Sequence, residues 1–203
     1  MTTDPITISD TDKEEISKIL GRFAAPKSDE DIFYDVCFAI CAPQTTYEAN
    51  KPCIDKLRKE DFYMKGIPGW ILHEILTPVR FFAVKTDRVL IAKHIFPDIL
   101  RVLRSDRSNH HKRMNLKTMV KGFGMKTTSH FLRNQGATDL AIIDTHILKF
   151  LNEDPNKSVS EKRYLILEAA FAEIADGMGV STAMLDAYLW KVASGTDWKD
   201  FVY

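Results

Sequence analysis

Residues 121–126 read Lys121-Gly122-Phe123-Gly124-Met125-Lys126, and Asp144 stands eighteen residues after Lys126. Two glycines bracket one apolar residue, and the segments on both sides carry helical periodicity. Glycine supplies the backbone freedom that a short turn between helices needs. Such a hairpin can aim N–H groups at a phosphate, because glycine admits close approach and oriented amides attract anions. A lysine just past the turn and a carboxylate at the next helix start can then serve as a nucleophile and its electrostatic partner.

Outward from the hairpin, the pattern is helical throughout, and the expected fold class is all-α. Thr11-Asp12-Lys13-Glu14 has the form of a capping box ahead of an apolar stripe of Ile16, Ile19, Leu20 and Phe23. A second helix is expected from near Ser28, burying Ile32, Phe33, Val36, Ala39 and Ile40. Thr45 or Thr46 caps a third, which carries Ala49, Cys53, Ile54 and Leu57. Pro68 suits a helix start and Pro78 a stop. Further helices are expected over 83–95, 97–105, 109–120, 125–135, 160–177 and 180–193, with Gly136 closing the one after the hairpin. Asp144 precedes a short apolar stretch of Ile147, Leu148 and Leu151. Ile142-Ile143 is too short and isolated to imply a sheet, and 152–158 reads as an exposed loop.

Composition sets the bounds. The chain has 203 residues, 45% apolar and 28% charged, as an ordinary folded protein does, with 28 basic and 28 acidic residues. Global charge therefore names no partner. No apolar run is long enough to cross a bilayer. The opening residues lack the basic and apolar regions of a signal peptide, so an intracellular location is expected. Cys37, Cys41 and Cys53 are the only cysteines; they read as core thiols, and the four-cysteine set of an iron–sulfur cluster is missing. No metal and no cofactor are expected.

Charge is uneven locally. Between residues 101 and 134 the basic side chains are Arg101, Arg104, Arg107, Lys112, Arg113, Lys117, Lys121, Lys126 and Arg133, against a single acid, Asp106. A basic face around a glycine hairpin favours nucleic acid over other polyanions; two solvated helices are the plainer alternative.

Val120 to Asn134, VKGFGMKTTSHFLRN, and Leu140 to Leu148, LAIIDTHIL, resemble the helix-hairpin-helix and aspartate motifs of DNA base-excision glycosylases. Within that superfamily they are most similar to the type 2 8-oxoguanine DNA glycosylase/lyases. Ile40-Cys41-Ala42-Pro43-Gln44-Thr45-Thr46 and Val79-Arg80-Phe81 fit the same family, and the similarity runs from about residue 30 to 195. The resemblance implies a two-lobed helical fold with the reaction in the cleft between the lobes. One lobe is expected over about 26–140, the other over 1–25 with 141–203.

The resemblance also implies roles. Lys126 is the expected nucleophile, attacking the sugar C1′ and forming a Schiff base that permits β-elimination. It must be neutral to attack, so partial burial, neighbouring Lys121 and the positive end of the hairpin are expected to lower its pKa. Asp144 is expected to face the positively charged sugar of the transition state, and it is equally a good helix N-cap. Lys121, Gly122 and Gly124 are expected to hold a DNA phosphate, the alternative being a plain helix connector. Gln44 falls where related enzymes place a side chain that enters the space left by the flipped base, and local hydrogen bonding is its alternative. Arg80, His130 and Arg133 either contact phosphates or brace the lobes. Phe33, Phe81, Trp190 and Trp198 are the aromatic candidates for stacking on the base.

Many type 2 members end in a lysine close to the last helix. This chain instead continues to Asp200 and Tyr203, whose carboxylates are candidates for accepting from the N7–H that 8-oxoguanine has and guanine lacks. The expected activity is that of a bifunctional 8-oxoguanine DNA glycosylase/AP lyase on damaged double-stranded DNA, with no membrane partner. The alternatives are a glycosylase/lyase for another oxidised base and a non-catalytic helix-hairpin-helix DNA-binding module. A single copy suffices to enclose one lesion, and a monomer is expected.

Overall fold

Side-chain oxygens set most of the helix starts. Ser9, Ser28, Thr46, Ser108, Ser160 and Ser181 each accept a bond from the N–H three residues on, satisfying one of the donors that a first helical turn leaves open. The computed structural model describes residues 7–195. In chain order the helices are α1 (Asp10–Ala24), α2 (Asp29–Cys41), α3 (Tyr47–Lys59), α4 (Gly69–Ile75), α5 (Phe82–His94), α6 (Phe96–Leu103), α7 (Asn109–Met119), α8 (Met125–Arg133), α9 (Thr145–Phe150), α10 (Glu161–Gly177) and α11 (Thr182–Ser194). The described residues contain no strand, and the fold class is all-α. One cap differs from expectation. Ser9, not Thr11, starts α1: its hydroxyl accepts from the Asp12 N–H at 3.1 Å and donates to the Asp12 carboxylate at 2.8 Å, leaving Thr11 inside the helix.

The chain forms two compact units. One is Pro26–Phe131, and the other comprises the described residues on either side of it. The division falls within α8, where the sequence reading put a boundary near 140. In Pro26–Phe131, α2 packs on α3 and α5, α5 also meets α4 and α6, and α6 meets α7. Phe33 is wholly buried, with the rings of Tyr34, Phe62, Tyr63 and Phe96 centred 5.2–5.7 Å away. Cys37, Cys41 and Cys53 are free, buried thiols. Burial pushes all three thiols up, Cys41 to about 12, so they pack as small apolar groups.

In the other unit α1 lies on α11, which also meets α9 and α10. Ile16, Ile19 and Ala187 form a buried cluster, with Leu20, Phe23, Met184, Tyr188 and Trp190 packed around it. Residues 140–143 are buried and belong to no helix or strand. Side chains of α10 satisfy their backbone instead. The Ala141 N–H donates to Glu168 Oε1 at 3.0 Å, the Ile143 N–H donates to the Tyr164 hydroxyl at 3.2 Å, and that hydroxyl donates to the Ala141 carbonyl at 2.7 Å.

Tyr164→Phe removes one oxygen and strands two buried backbone groups. Unmet buried groups of this kind cost about 1–3 kcal/mol. Thermal unfolding followed by circular dichroism should show Tm lowered by several degrees, on a scale of roughly 2–4 °C per kcal/mol for a chain of this size.

Candidate active site

The hairpin 120–125 joins α7 to α8. Its apolar residue turns inward: Phe123 is buried, its N–H donates to the Val120 carbonyl at 3.1 Å, and its ring lies 5.5 Å from that of Phe131. The two glycines are not equivalent. Gly122 has φ +98°, and a Cβ there would lie 3.0 Å from Arg88 Cδ and 3.1 Å from Arg88 Nη1. The positive φ favours glycine at this position, and a Cβ would in addition require the Arg88 side chain to give way by a few tenths of an ångström. Gly124 has neither constraint, since its φ is not positive and nothing stands within 4 Å of its added Cβ. Its carbonyl instead accepts from both the N–H (2.9 Å) and the hydroxyl (2.8 Å) of Thr128. Thr128 and Ser129 are wholly buried, and Arg113, also buried, donates from Nη1 to Ser129 Oγ at 3.1 Å. The start of α8 is thereby locked beneath the turn. Lys121 and Gly124 are exposed on it, and Gly122 is half-buried.

Lys126 is the second residue of α8. The expected partial burial is not observed: Lys126 is exposed, because the buried stripe of this helix runs through Met125, Thr128, Ser129, Phe131 and Leu132 and misses it. Among the described residues its ammonium makes no ion pair or hydrogen bond. Arg88 of α5, whose side chain lies against Gly122, likewise makes none. Three cationic residues, Lys121, Lys126 and Arg88, therefore belong to the surroundings of one turn.

Asp144 belongs to the other unit and is the N-cap of α9. One oxygen does the capping. Oδ1 accepts from the His146 N–H at 2.8 Å and the Ile147 N–H at 3.0 Å. Oδ2 makes no hydrogen bond among the described residues. Asp144 is half-buried at the end of the 140–143 segment that Tyr164 and Glu168 hold. The carboxylate is held by its capping bonds and keeps one oxygen for other work.

The basic face is smaller than the sequence suggested, because several of its members are engaged elsewhere. Arg101 pairs with Asp98 at 2.6 Å, Arg104 pairs with Asp29, and Arg113 is buried. Arg133 is also buried. Its Nε and Nη2 donate to Asn134 Oδ1 at 3.1 and 3.0 Å, Nη1 lies 3.7 Å from Asp186 Oδ2, and the guanidinium stands over the Phe23 ring. Arg133 braces its own unit and is no exposed phosphate ligand.

Gln44 is exposed, with φ +58°, in the loop between α2 and α3. A side chain that sequence reading passed over holds this loop. Lys85 of α5 is 2% exposed, and its Nζ donates to the carbonyls of Cys41 (2.8 Å) and Pro43 (2.7 Å) and to Thr45 Oγ1 (3.1 Å). Burial pulls the Lys85 ammonium below the ordinary lysine value. The signal was present: Lys85, Val89 and Ala92 share the buried face of α5, so a lysine occupies an apolar stripe. Tyr164, Glu168 and Arg88 were missed for a different reason, since only the fold brings them to the segments they hold.

Of the aromatic candidates, Phe33 is core and Trp190 packs against the α1–α11 cluster. Phe81 is 56% exposed at φ +60°, with the Arg80 guanidinium 4.9 Å from its ring centre. Trp198, Asp200 and Tyr203 lie outside the described residues.

Comparison with known proteins accords with this arrangement. The sequence pattern of the 8-oxoguanine DNA glycosylase family, of the helix-hairpin-helix type, matches residues 14–180. An 8-oxoguanine DNA glycosylase/AP lyase of Thermoplasma volcanium is 31% identical, over 91% of this chain and 88% of its own length. One from Thermoplasma acidophilum is 35% identical, over 86% of each. Among solved structures, the Methanocaldococcus jannaschii 8-oxoguanine glycosylase/lyase in complex with a 15mer DNA containing 8-oxoguanine superposes with a TM-score of 0.80, at 29% identity over 93% of both chains. The 8-oxoguanine DNA glycosylase of Thermotoga maritima superposes with a TM-score of 0.79, at 25% identity over 92% of both. A glycine hairpin that orients its lysine, a capping aspartate and matches spanning most of the chain lead to one assignment: the chain belongs to the 8-oxoguanine DNA glycosylase family.

Proposed function

We propose that this protein is a bifunctional DNA glycosylase/AP lyase that excises 8-oxoguanine from duplex DNA and nicks the strand by β-elimination. The observation that carries the proposal is Lys126: an exposed amine with no ionic partner among the described residues, one residue past the hairpin and on a helix locked beneath it. A module that only bound DNA would need no amine at that point. The relatives named above are glycosylase/AP lyases, and one was solved on DNA containing the oxidised base.

The chemistry follows from the residues. A base inside a duplex is out of reach, so the nucleotide is turned outward. The hairpin receives a backbone phosphate on its N–H groups, with Lys121 and Arg88 adding positive charge. As the bond from C1′ to the base breaks, the sugar becomes cationic, and Oδ2 of Asp144 offers it a fixed negative charge. The neutral amine of Lys126 bonds to C1′ as the bond to the base breaks, and the proton it then sheds neutralises the departing base. The nitrogen lone pair opens the ring, O4′ takes a proton from water, and the resulting Schiff base acidifies C2′. Removal of a C2′ proton then expels the 3′ phosphate, and water releases the lysine. One copy encloses one lesion, so we read the enzyme as a monomer acting on intracellular DNA. No helix among the described residues is long and apolar enough to cross a membrane.

Borohydride trapping on duplexes carrying 8-oxoguanine, thymine glycol or an abasic site tests the proposal. The expected result is a covalent adduct with the 8-oxoguanine duplex that is lost in Lys126→Gln. No adduct on any duplex would leave a binding module, and a preference for thymine glycol would reassign the base. Asp144→Asn keeps a capping oxygen but loses the charge, so excision should fall by about a hundredfold or more while thermal stability changes little. Gly122→Ala forces a Cβ into a left-handed position beside Arg88 and should cost about 1–2 kcal/mol of stability, read as a Tm lowered by several degrees in thermal unfolding.

A further inference from the structure

Lys85 fills its site in an unusual way. The ammonium has three protons, and three neutral acceptors take them: the Cys41 carbonyl, the Pro43 carbonyl and the Thr45 hydroxyl. Neither the hydrogen bonds nor the ion pairs of Lys85 include a carboxylate among the described residues. Burying a cation against neutral groups is unfavourable. An apolar side chain would serve the packing of α5 against α2 at least as well. The ammonium does something an apolar side chain cannot: it gathers the backbone on both sides of Gln44 to one point. Thr45 Oγ1 extends the clamp, because it also accepts from the Arg80 N–H at 3.2 Å, immediately before Phe81. Gln44 and Phe81, at φ +58° and +60°, thus flank one hydrogen-bonded knot centred on Lys85 and Thr45. Non-glycine residues hold such conformations only where surrounding bonds over-determine them.

We infer that Lys85 is a positioning residue for base eversion: its ammonium holds the 41–45 loop so that Gln44 projects, already ordered, into the space the extruded nucleotide leaves. The inference rests on the glycosylase reading above and on Gln44 entering that space. A pre-ordered loop spares the entropy of fixing it during binding. Lys85 touches no reacting atom in this role; it acts through Gln44.

The experiment compares the full-length protein with Lys85→Met on two substrates. Excision of 8-oxoguanine from a duplex needs eversion, whereas borohydride trapping on a single-stranded abasic oligonucleotide does not. Lys85→Met should lower duplex excision by about tenfold to a hundredfold and leave single-strand trapping within about twofold of wild type. A 2-aminopurine placed beside the lesion should brighten less on binding the variant. In a Gln44→Ala background, Lys85→Met should cost little more, since both changes disable one device. Thr45→Val, which removes one of the three acceptors and keeps the lysine, should give a smaller loss in the same direction and serves if Lys85→Met does not fold. Equal losses on both substrates, or losses that add to those of Gln44→Ala, overturn the inference. Wild-type excision by Gln44→Ala alone also overturns it, while leaving the glycosylase reading intact. A wild-type protein inactive on every duplex overturns that reading and the inference with it.

Discussion

A backbone N–H or carbonyl removed from water must find a partner, and this requirement organises the protein outside its helices. Each helix start leaves donors open, and serine, threonine or aspartate oxygens meet many of them. The same requirement reaches into the site. The irregular 140–143 segment belongs to no helix or strand, so Tyr164 and Glu168 meet its groups and thereby set the entrance to α9. The 41–45 loop has carbonyls turned inward, and Lys85 meets them. In Asp144 one oxygen satisfies helix donors, which keeps the other in a defined place.

Helix α5 links two parts of the unit that sequence distance keeps apart. Lys85 holds the loop after α2, and one turn later Arg88 lies over Gly122 of the hairpin. Residues i and i+3 share a helix face, so one side of α5 serves both the Gln44 loop and the glycine hairpin. Neither residue forms an ion pair among the described residues. The Lys85 charge is spent inside on neutral acceptors, whereas that of Arg88, partly exposed beside the hairpin, remains available to a polyanion. By contrast Arg101, Arg104 and Arg133 have their own anionic or amide partners, which explains why a count of basic residues over 101–134 overstated the unpaired basic face.

Helix positions were legible because capping residues, proline and apolar spacing act within a few residues of one another. Ser28, Thr46, Pro68, Gly136 and Asp144 all stand at the boundaries where their chemistry places them. Thr11 misled because two hydroxyl residues precede the same apolar stripe, and the choice between them depends on which geometry Asp12 completes. For Lys126 sequence reading supplied the position on α8 but not the environment, since it is exposed where partial burial was expected. Its exposure depends on the rotation of α8, set by burial of Thr128 and Ser129, two polar residues that no apolar stripe would have included.

The sequence by itself determined the helices, the glycine hairpin between two of them, and the order of lysine and aspartate along the chain, since turn chemistry and periodicity are local. Only tertiary structure decided that Gly122, alone of the two hairpin glycines, lies against a distant side chain, that Arg133 is a buried brace, and that Lys85 belongs to the Gln44 loop. Each of those depends on a group distant in sequence: Arg88 for Gly122, Phe23 and Asp186 for Arg133, and the Cys41 and Pro43 carbonyls for Lys85. Contacts of that kind form only when helices pack, and no pattern of spacing along one chain records which side chain will meet which carbonyl.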